Sequence, residues 1–162
     1  MQLPLAISFA VLAGTSGCVG LIDGSEQTGS DGGGKGDGPT TERVVDIIGP
    51  DVLPHVQKFA NTVCGATGAC YIATRTGHHP SAERALDILV SSAFGKTPTD
   101  NWALGDKVAA FALSHQAEHG IWYVIWRQRY NDGSGWDPME DRGSITQNHY
   151  DHVHMSFEET GP

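Results

Sequence analysis

The sequence predicts an α+β domain, a small antiparallel sheet with helices packed on one face. Three features point there. The apolar periodicities run helix, strand, strand, helix, strand, loop, strand, not the strict β–α–β alternation of a parallel sheet. Both helical stretches carry apolar residues at helical spacing. The last strand, HVHMSF (152–157), sets Val153, Met155 and Phe157 on one face and His152, His154 and Ser156 on the other.

The chain of 162 residues begins with segments outside that fold. LPLAISFAVLA (3–13) followed by GTSGC (14–18) has the form of an export signal and is too short to span a membrane. Residues 1–18 also resemble a bacterial lipoprotein signal, which implies a lipid on Cys18. Thr15 stands where such signals usually carry Leu, and plain export with Cys18 idle or removed is the alternative. Ten of the 21 glycines lie between positions 14 and 38, so residues 19–41 read as a flexible Gly-rich linker. The domain is expected over residues 42–160.

Within the domain, PDVLPHVQKFANTVCG (50–65) places Val52, Val56, Phe59, Ala60 and Val63 on one helical face, with Pro54 suited to the first turn. CYIATRT (70–76) and the mostly apolar RALDILVS (84–91) read as strands. Residues 99–120 read as one helix, capped by Thr99 or Asp100 and ended by Gly120. IWYVIWRQRY (121–130) reads as one long strand, and residues 131–148 as loop. Trp102, Trp122 and Trp126 are expected in the core. Trp136 reads as a plug under the loop or a wall of a substrate groove. Arg127 and Arg129 share a strand face, either a solvated edge or a carboxylate-binding pair.

Composition excludes some functions. With 19 Asp+Glu against 10 Lys+Arg, net −9, the chain lacks the basic footprint of a nucleic-acid binder. Besides Cys18 there are only Cys64 and Cys70, in CGATGAC. Two glycines in five intervening residues let these two close a small disulfide loop, as expected of an exported protein.

The chemistry concentrates in HYDHVH (149–154), where His149, Asp151, His152 and His154 fall within six positions. Imidazole and carboxylate are ordinary zinc ligands, and a catalytic zinc wants three protein ligands and one open position. This stretch supplies one ligand and one or two proton carriers, so the other ligands must come from elsewhere. GHHPSAERALDILV (77–90) is the candidate, with two histidines and a carboxylate, Asp87, set among apolar residues. Burying Asp87 unpaired is costly. A metal resolves that cost; so does pairing with Arg84 or Arg75, or exposure at a sheet edge.

A histidine, then an aspartate several residues on, then HxH much later resembles the zinc peptidases that include D-alanyl-D-alanine carboxypeptidases, murein endopeptidases and lysostaphin-type enzymes, whose fold the hedgehog signalling domain shares. The likeness spans roughly residues 70–157. It includes TRT before the histidines, RALDILV, and NHYDHVHMSF, which looks like the closing strand of murein endopeptidases. The tail RGSITQNHYDHVHMSF is also similar to a poorly characterised group of secreted domains of the same type.

The resemblance implies one zinc held by His79, Asp87 and His154, with His78 the alternative to His79. It implies Asp151 or His149 as proton carriers, His152 stabilising the reacting centre, and Arg75 holding a substrate carboxylate or oxyanion. His79 to Asp87 is eight residues where the family has seven, and Glu83 stands where the family has Gly. The expected activity is hydrolysis of amide bonds in peptidoglycan stem peptides or cross-links. The expected protein is an exported monomer, periplasmic or on the cell surface, touching membrane only through an N-terminal lipid. The alternative is a catalytically silent hedgehog-like domain that binds metal or cell wall. A two-metal phosphoesterase would want more carboxylates.

Overall fold

Pro54 opens helix α1 (Pro54–Thr67), because its fixed φ suits the first turn and its missing N–H costs nothing there. The computed structural model describes residues 44–97 and 102–162, all within the unit Thr41–Pro162. The expected signal, Cys18, the linker and the caps Thr99 and Asp100 lie outside the described residues. Helix α1 ends two residues beyond the expected Gly65, because the left-handed residue is Gly68 (φ 83°), whose N–H reaches the Cys64 carbonyl at 2.9 Å. Cys64, in the last turn, is bridged to Cys70 just after the cap, the disulfide expected from the cysteine count.

The expected helix 99–120 is two helices, α2 (Trp102–Ser114) and α3 (Gln116–His119). His115 sits between them at φ −117°, ψ 16°, and Gly120 (φ 64°) caps the second. Gly105 lets α2 lie against the sheet: a Cβ there would run into the Trp126 indole. Trp126 Nε1 donates to Asp106 Oδ1 on the same helix at 2.8 Å.

The sheet is larger than the small one expected and not wholly antiparallel. Its seven strands are β1 (Ile47–Ile48), β2 (Ile72–Ala73), β3 (Ala85–Leu89), β4 (Ile121–Ile125), β5 (Arg129–Asn131), β6 (Asp137–Pro138) and β7 (His152–Phe157). Their order is β1-β2-β3-β7-β4-β5-β6. Only β1 and β2 run parallel. The unexpected strands, β1, β5 and β6, have two or three residues each, too few for a periodicity to register.

The expected single strand 121–130 is a hairpin. Arg127 (φ 53°) and Gln128 (φ 56°) are both left-handed, as a two-residue primed turn requires, and Trp126 and Arg129 exchange backbone bonds of 2.9 and 3.2 Å. Neither residue favours that backbone, so contacts hold it. Arg127 lies over the Trp102 ring, and Gln128 bonds the Met139 carbonyl and the Tyr150 hydroxyl.

Register sorts the side chains. Leu86 and Ile88 of β3, Val124 of β4 and Val153, Met155 and Phe157 of β7 pack with Val56, Phe59 and Val63 of α1 and Val108 and Ala112 of α2. Phe59, Ile88, Met155 and Phe157 are 0% exposed, each worth about 1.5–3 kcal/mol of apolar burial. The opposite face of β3 and β7 carries Asp87, His152, His154 and Ser156. Trp122, expected in the core, is 38% exposed, because the register shifts between Ile121 and Tyr123 and turns it outward. Trp136 packs against the core as a plug, with Arg129 over its ring. Arg127 and Arg129 are thus engaged with aromatic rings.

Candidate metal centre

Asp87 stands on the middle of β3 because alternation sends Leu86 and Ile88 into the core and Asp87 to the other face. Cross-strand pairing sets it directly opposite His154 of β7. The carboxylate is 4% exposed and ringed by imidazoles. Oδ1 is 2.8 Å from His154 Nδ1 and 3.3 Å from His152 Nε2, and Oδ2 is 2.9 Å from His78 Nε2. Arg75 Nε is 3.9 Å away. Arg84, a sequence candidate for its partner, instead donates to the Phe157 carbonyl at 2.9 Å. Burial alone would raise the pKa of Asp87. Hydrogen bonds to His152, His154 and His78 outweigh it and hold the carboxyl far below the usual carboxylate range.

The histidine beside Asp87 is His78, not the expected His79. His78 is buried at 8% exposure, whereas His79 is exposed with its ring tilted against Trp122, 5.6 Å between centroids. The two rings diverge, His78 toward Asp87 on β3 and His79 toward Trp122 on β4. His79 serves through its backbone: its carbonyl accepts from Ser156 Oγ at 2.7 Å and from Tyr123 Oη at 3.2 Å.

Hydroxyls behind the rings assign the tautomers. Ser156 Oγ spends its proton on the His79 carbonyl, so it accepts from His154 Nε2 at 3.2 Å. Thr74 Oγ1 spends its proton on the Ala82 carbonyl, so it accepts from His78 Nδ1 at 3.3 Å. The remaining ring nitrogens face the same carboxylate, His154 Nδ1 one oxygen and His78 Nε2 the other, and His78 Nε2 also lies 3.2 Å from the donor Arg75 Nε. Burial also depresses the pKa of His154, which favours its neutral form. A hydrogen bond from either nitrogen to Asp87 needs a second proton on that ring, and a metal ion between the ring nitrogens and the carboxylate would take that proton's place. The ligand atoms of His78, Asp87 and His154 lie within 4.8 Å of one another, so the donor set fits a metal.

The neighbouring groups divide their roles. His152 Nδ1 is 2.6 Å from Asp151 Oδ1, and Asp151 Oδ2 accepts from Thr146 Oγ1 at 2.6 Å and from the Gly95 amide at 2.5 Å. Asp151 is 0% exposed with both oxygens engaged, so the expected proton acceptor is a positioning residue for His152. Burial disfavours the His152 cation, but hydrogen bonds to Asp151 and Asp87 raise its pKa to about 9. His149 adopts left-handed φ (54°), and its Nδ1 is buried with no hydrogen-bond partner among the described residues. Burial first, then His152 and His154, push its pKa down to about 2.

A cleft of about 240 Å³ opens onto Asp87, lined by Ala73, Thr74, Arg75, Phe94 and Thr146. The Arg75 side chain, 69% exposed, lines this cleft. A larger cleft of about 620 Å³, lined among others by Val45, Asn61 and Cys64, holds none of these groups. Thr74, Thr146, Gly95 and Tyr123 were not singled out from the sequence. Ser156 was visible there as a face-mate of His152 and His154, and its service to His154 follows from that alternation.

The fold and centre define a class: an α+β domain with a buried aspartate–histidine cluster able to hold a metal. The family model described as VldE, C-terminal domain, matches residues 48–150, and the chain belongs to that family. The matched region includes His78, Asp87 and His149 and stops before β7. The chain is similar to an uncharacterized secreted protein of Arthroderma benhamiae, 33% identical over 84 residues, which cover 41% of this chain and 34% of that protein. The chain thus spans about a third of the length of the curated relative it matches. No solved structure matches. Among the described residues, no helix is long and apolar enough to cross a membrane.

Proposed function

We propose that this domain is an exported, zinc-dependent peptidase of the hedgehog/D-alanyl-D-alanine-peptidase type, acting on peptidoglycan stem peptides or cross-links. The observation that carries the proposal is the convergence of His78, Asp87 and His154, their ligand atoms within 4.8 Å of one another, beside an open cleft. Together with the resemblance of NHYDHVHMSF, that donor set favours a metal-dependent hydrolase. His78, Asp87 and His154 would hold zinc, and bound there it supplies Lewis acidity at the floor of the cleft. Arg75 binds a substrate carboxylate or carbonyl oxygen with its fork of donors. His152 is the proton carrier. Asp151 anchors its Nδ1, and its Nε2, 3.3 Å from Asp87 Oδ1, borders the reacting side, able to give its proton to the leaving amine and regain one from the attacking water. Export is supported by the disulfide and by the relative described as secreted; a lipid on Cys18 would add the membrane anchor.

One observation favours a second reading, a silent hedgehog-like binder of metal or cell wall. Both oxygens of Asp151 are engaged, so no carboxylate in the cluster is free to act as a base. One experiment separates the two. The full chain, refolded with zinc, is measured for metal content and incubated with purified peptidoglycan, and released fragments are identified by mass. About one zinc per chain with new amine and carboxylate ends is expected. Zinc with binding but no new ends selects the silent domain, and a metal-free chain sinks the peptidase and leaves the second reading only as a cell-wall binder.

A further inference from the structure

His149, His152 and His154 form a second converging group, with ligand atoms within 4.8 Å of one another and all three residues buried. His149 Nδ1 has no hydrogen-bond partner among the described residues, although the residue is only 9% exposed. A buried imidazole nitrogen normally finds a partner, and one without a partner beside two other imidazoles suits a ligand there. The His149 ring lies 4.9 Å from that of His152 and 5.5 Å from that of His154. His152 is backed at Nδ1 by Asp151, the carboxylate–histidine arrangement that commonly orients a metal-bound ring and makes it more basic.

We propose that the cluster offers one metal ion two mutually exclusive positions that pivot on His154: the first on His78, Asp87 and His154, the second on His149, His152 and His154. This rests on the metal-centre reading above. His154 has one lone pair to give, because its Nε2 is engaged by Ser156, so one ion excludes the other. Asp87 gives the first position a negative charge and makes it the resting one for zinc. The second offers three imidazoles, a set that suits zinc, copper or nickel once His152 gives up a proton to the ion. An ion there occupies His152, the proposed proton carrier, and so describes a catalytically idle state.

The test compares zinc content by elemental analysis, and visible spectra after cobalt loading, in the full chain and in four variants. His78→Ala and Asp87→Asn each remove one first-position ligand, and Asp87→Asn preserves side-chain shape should His78→Ala fold poorly. Each is expected to retain about one metal per chain, with a cobalt spectrum changed from that of the unaltered chain. His149→Ala is expected to retain the metal with an unaltered spectrum. His78→Ala combined with His149→Ala is expected to lose at least tenfold in affinity relative to either single variant. If the unaltered chain holds zinc but folded His78→Ala and Asp87→Asn hold none, the second position is excluded and the proposed function stands. If the unaltered chain holds none, both fall.

Discussion

His78 and His79 are adjacent, yet one is buried against Asp87 and the other lies exposed on Trp122. Single side chains of this kind set the titration of the centre. In metal-free protein, His149 has its folded pKa at about 2 against an ordinary 6.5, so its contribution to stability is present above 6.5 and lost as pH falls toward 2. His152 has its folded pKa raised from 6.5 to about 9, so its contribution is present below 6.5 and lost as pH rises through 9. At about 1.4 kcal/mol per pKa unit, the alkaline loss is on the order of 3 kcal/mol. Urea unfolding of chelator-treated protein should therefore be most stable near pH 6.5 and fall on both sides. A flat profile from pH 6.5 to 9 would contradict the charged His152. Of the centre, Asp87, His152 and His154 were legible in sequence, because strand alternation is local. The burial of Asp151 was not, because it depends on Thr146 and Gly95, which only folding brings to it.

Helices and strands were read well where their periodicity was long. Helix α1, β3 and β7 emerged close to their expected positions, and β4 as the first half of one expected strand. The hairpin at Arg127–Gln128 carries no Asn-Gly signal and exists because tertiary contacts hold two left-handed residues. It matters to the centre: the Arg127 and Gln128 amides donate to the His149 and Asn148 carbonyls at 3.0 and 2.8 Å, fixing the approach to β7. Between helix and sheet, Gly105 is the tight point. Replacing it with Ala gains about 1 kcal/mol of helix propensity. The same change forces a methyl into the Trp126 ring, typically a cost of about 1–3 kcal/mol. Gly105→Ala should be net destabilising by up to about 2 kcal/mol in chemical denaturation, with metal content unchanged. A stabilised variant would mean that Trp126 yields freely.

For the described unit as a whole, stability comes from the shared core and from one covalent tie. The Cys64–Cys70 bridge joins the end of α1 to the approach of β2, six residues apart. Chain-entropy reasoning assigns a loop this short about 2 kcal/mol. Reduction should lower Tm by roughly 5–10 °C. Neither cysteine touches the imidazole cluster, so zinc content should not change. Loss of metal on reduction would reveal coupling between the two regions.

Local pattern established the α+β class, the two-faced closing strand, the aspartate embedded in β3 and the cysteine pair. Each rests on spacing within a few residues, where backbone geometry alone dictates direction. Tertiary structure decided that the sheet has seven strands, that His78 and not His79 meets Asp87, and that both oxygens of Asp151 are engaged, one of them by His152. Those outcomes depend on hydrogen bonds across long stretches of chain, such as Ser156 to His79 and Asp87 to His154. A loop histidine's direction is set by whichever distant hydroxyl and carboxylate it meets, and no short spacing records that meeting.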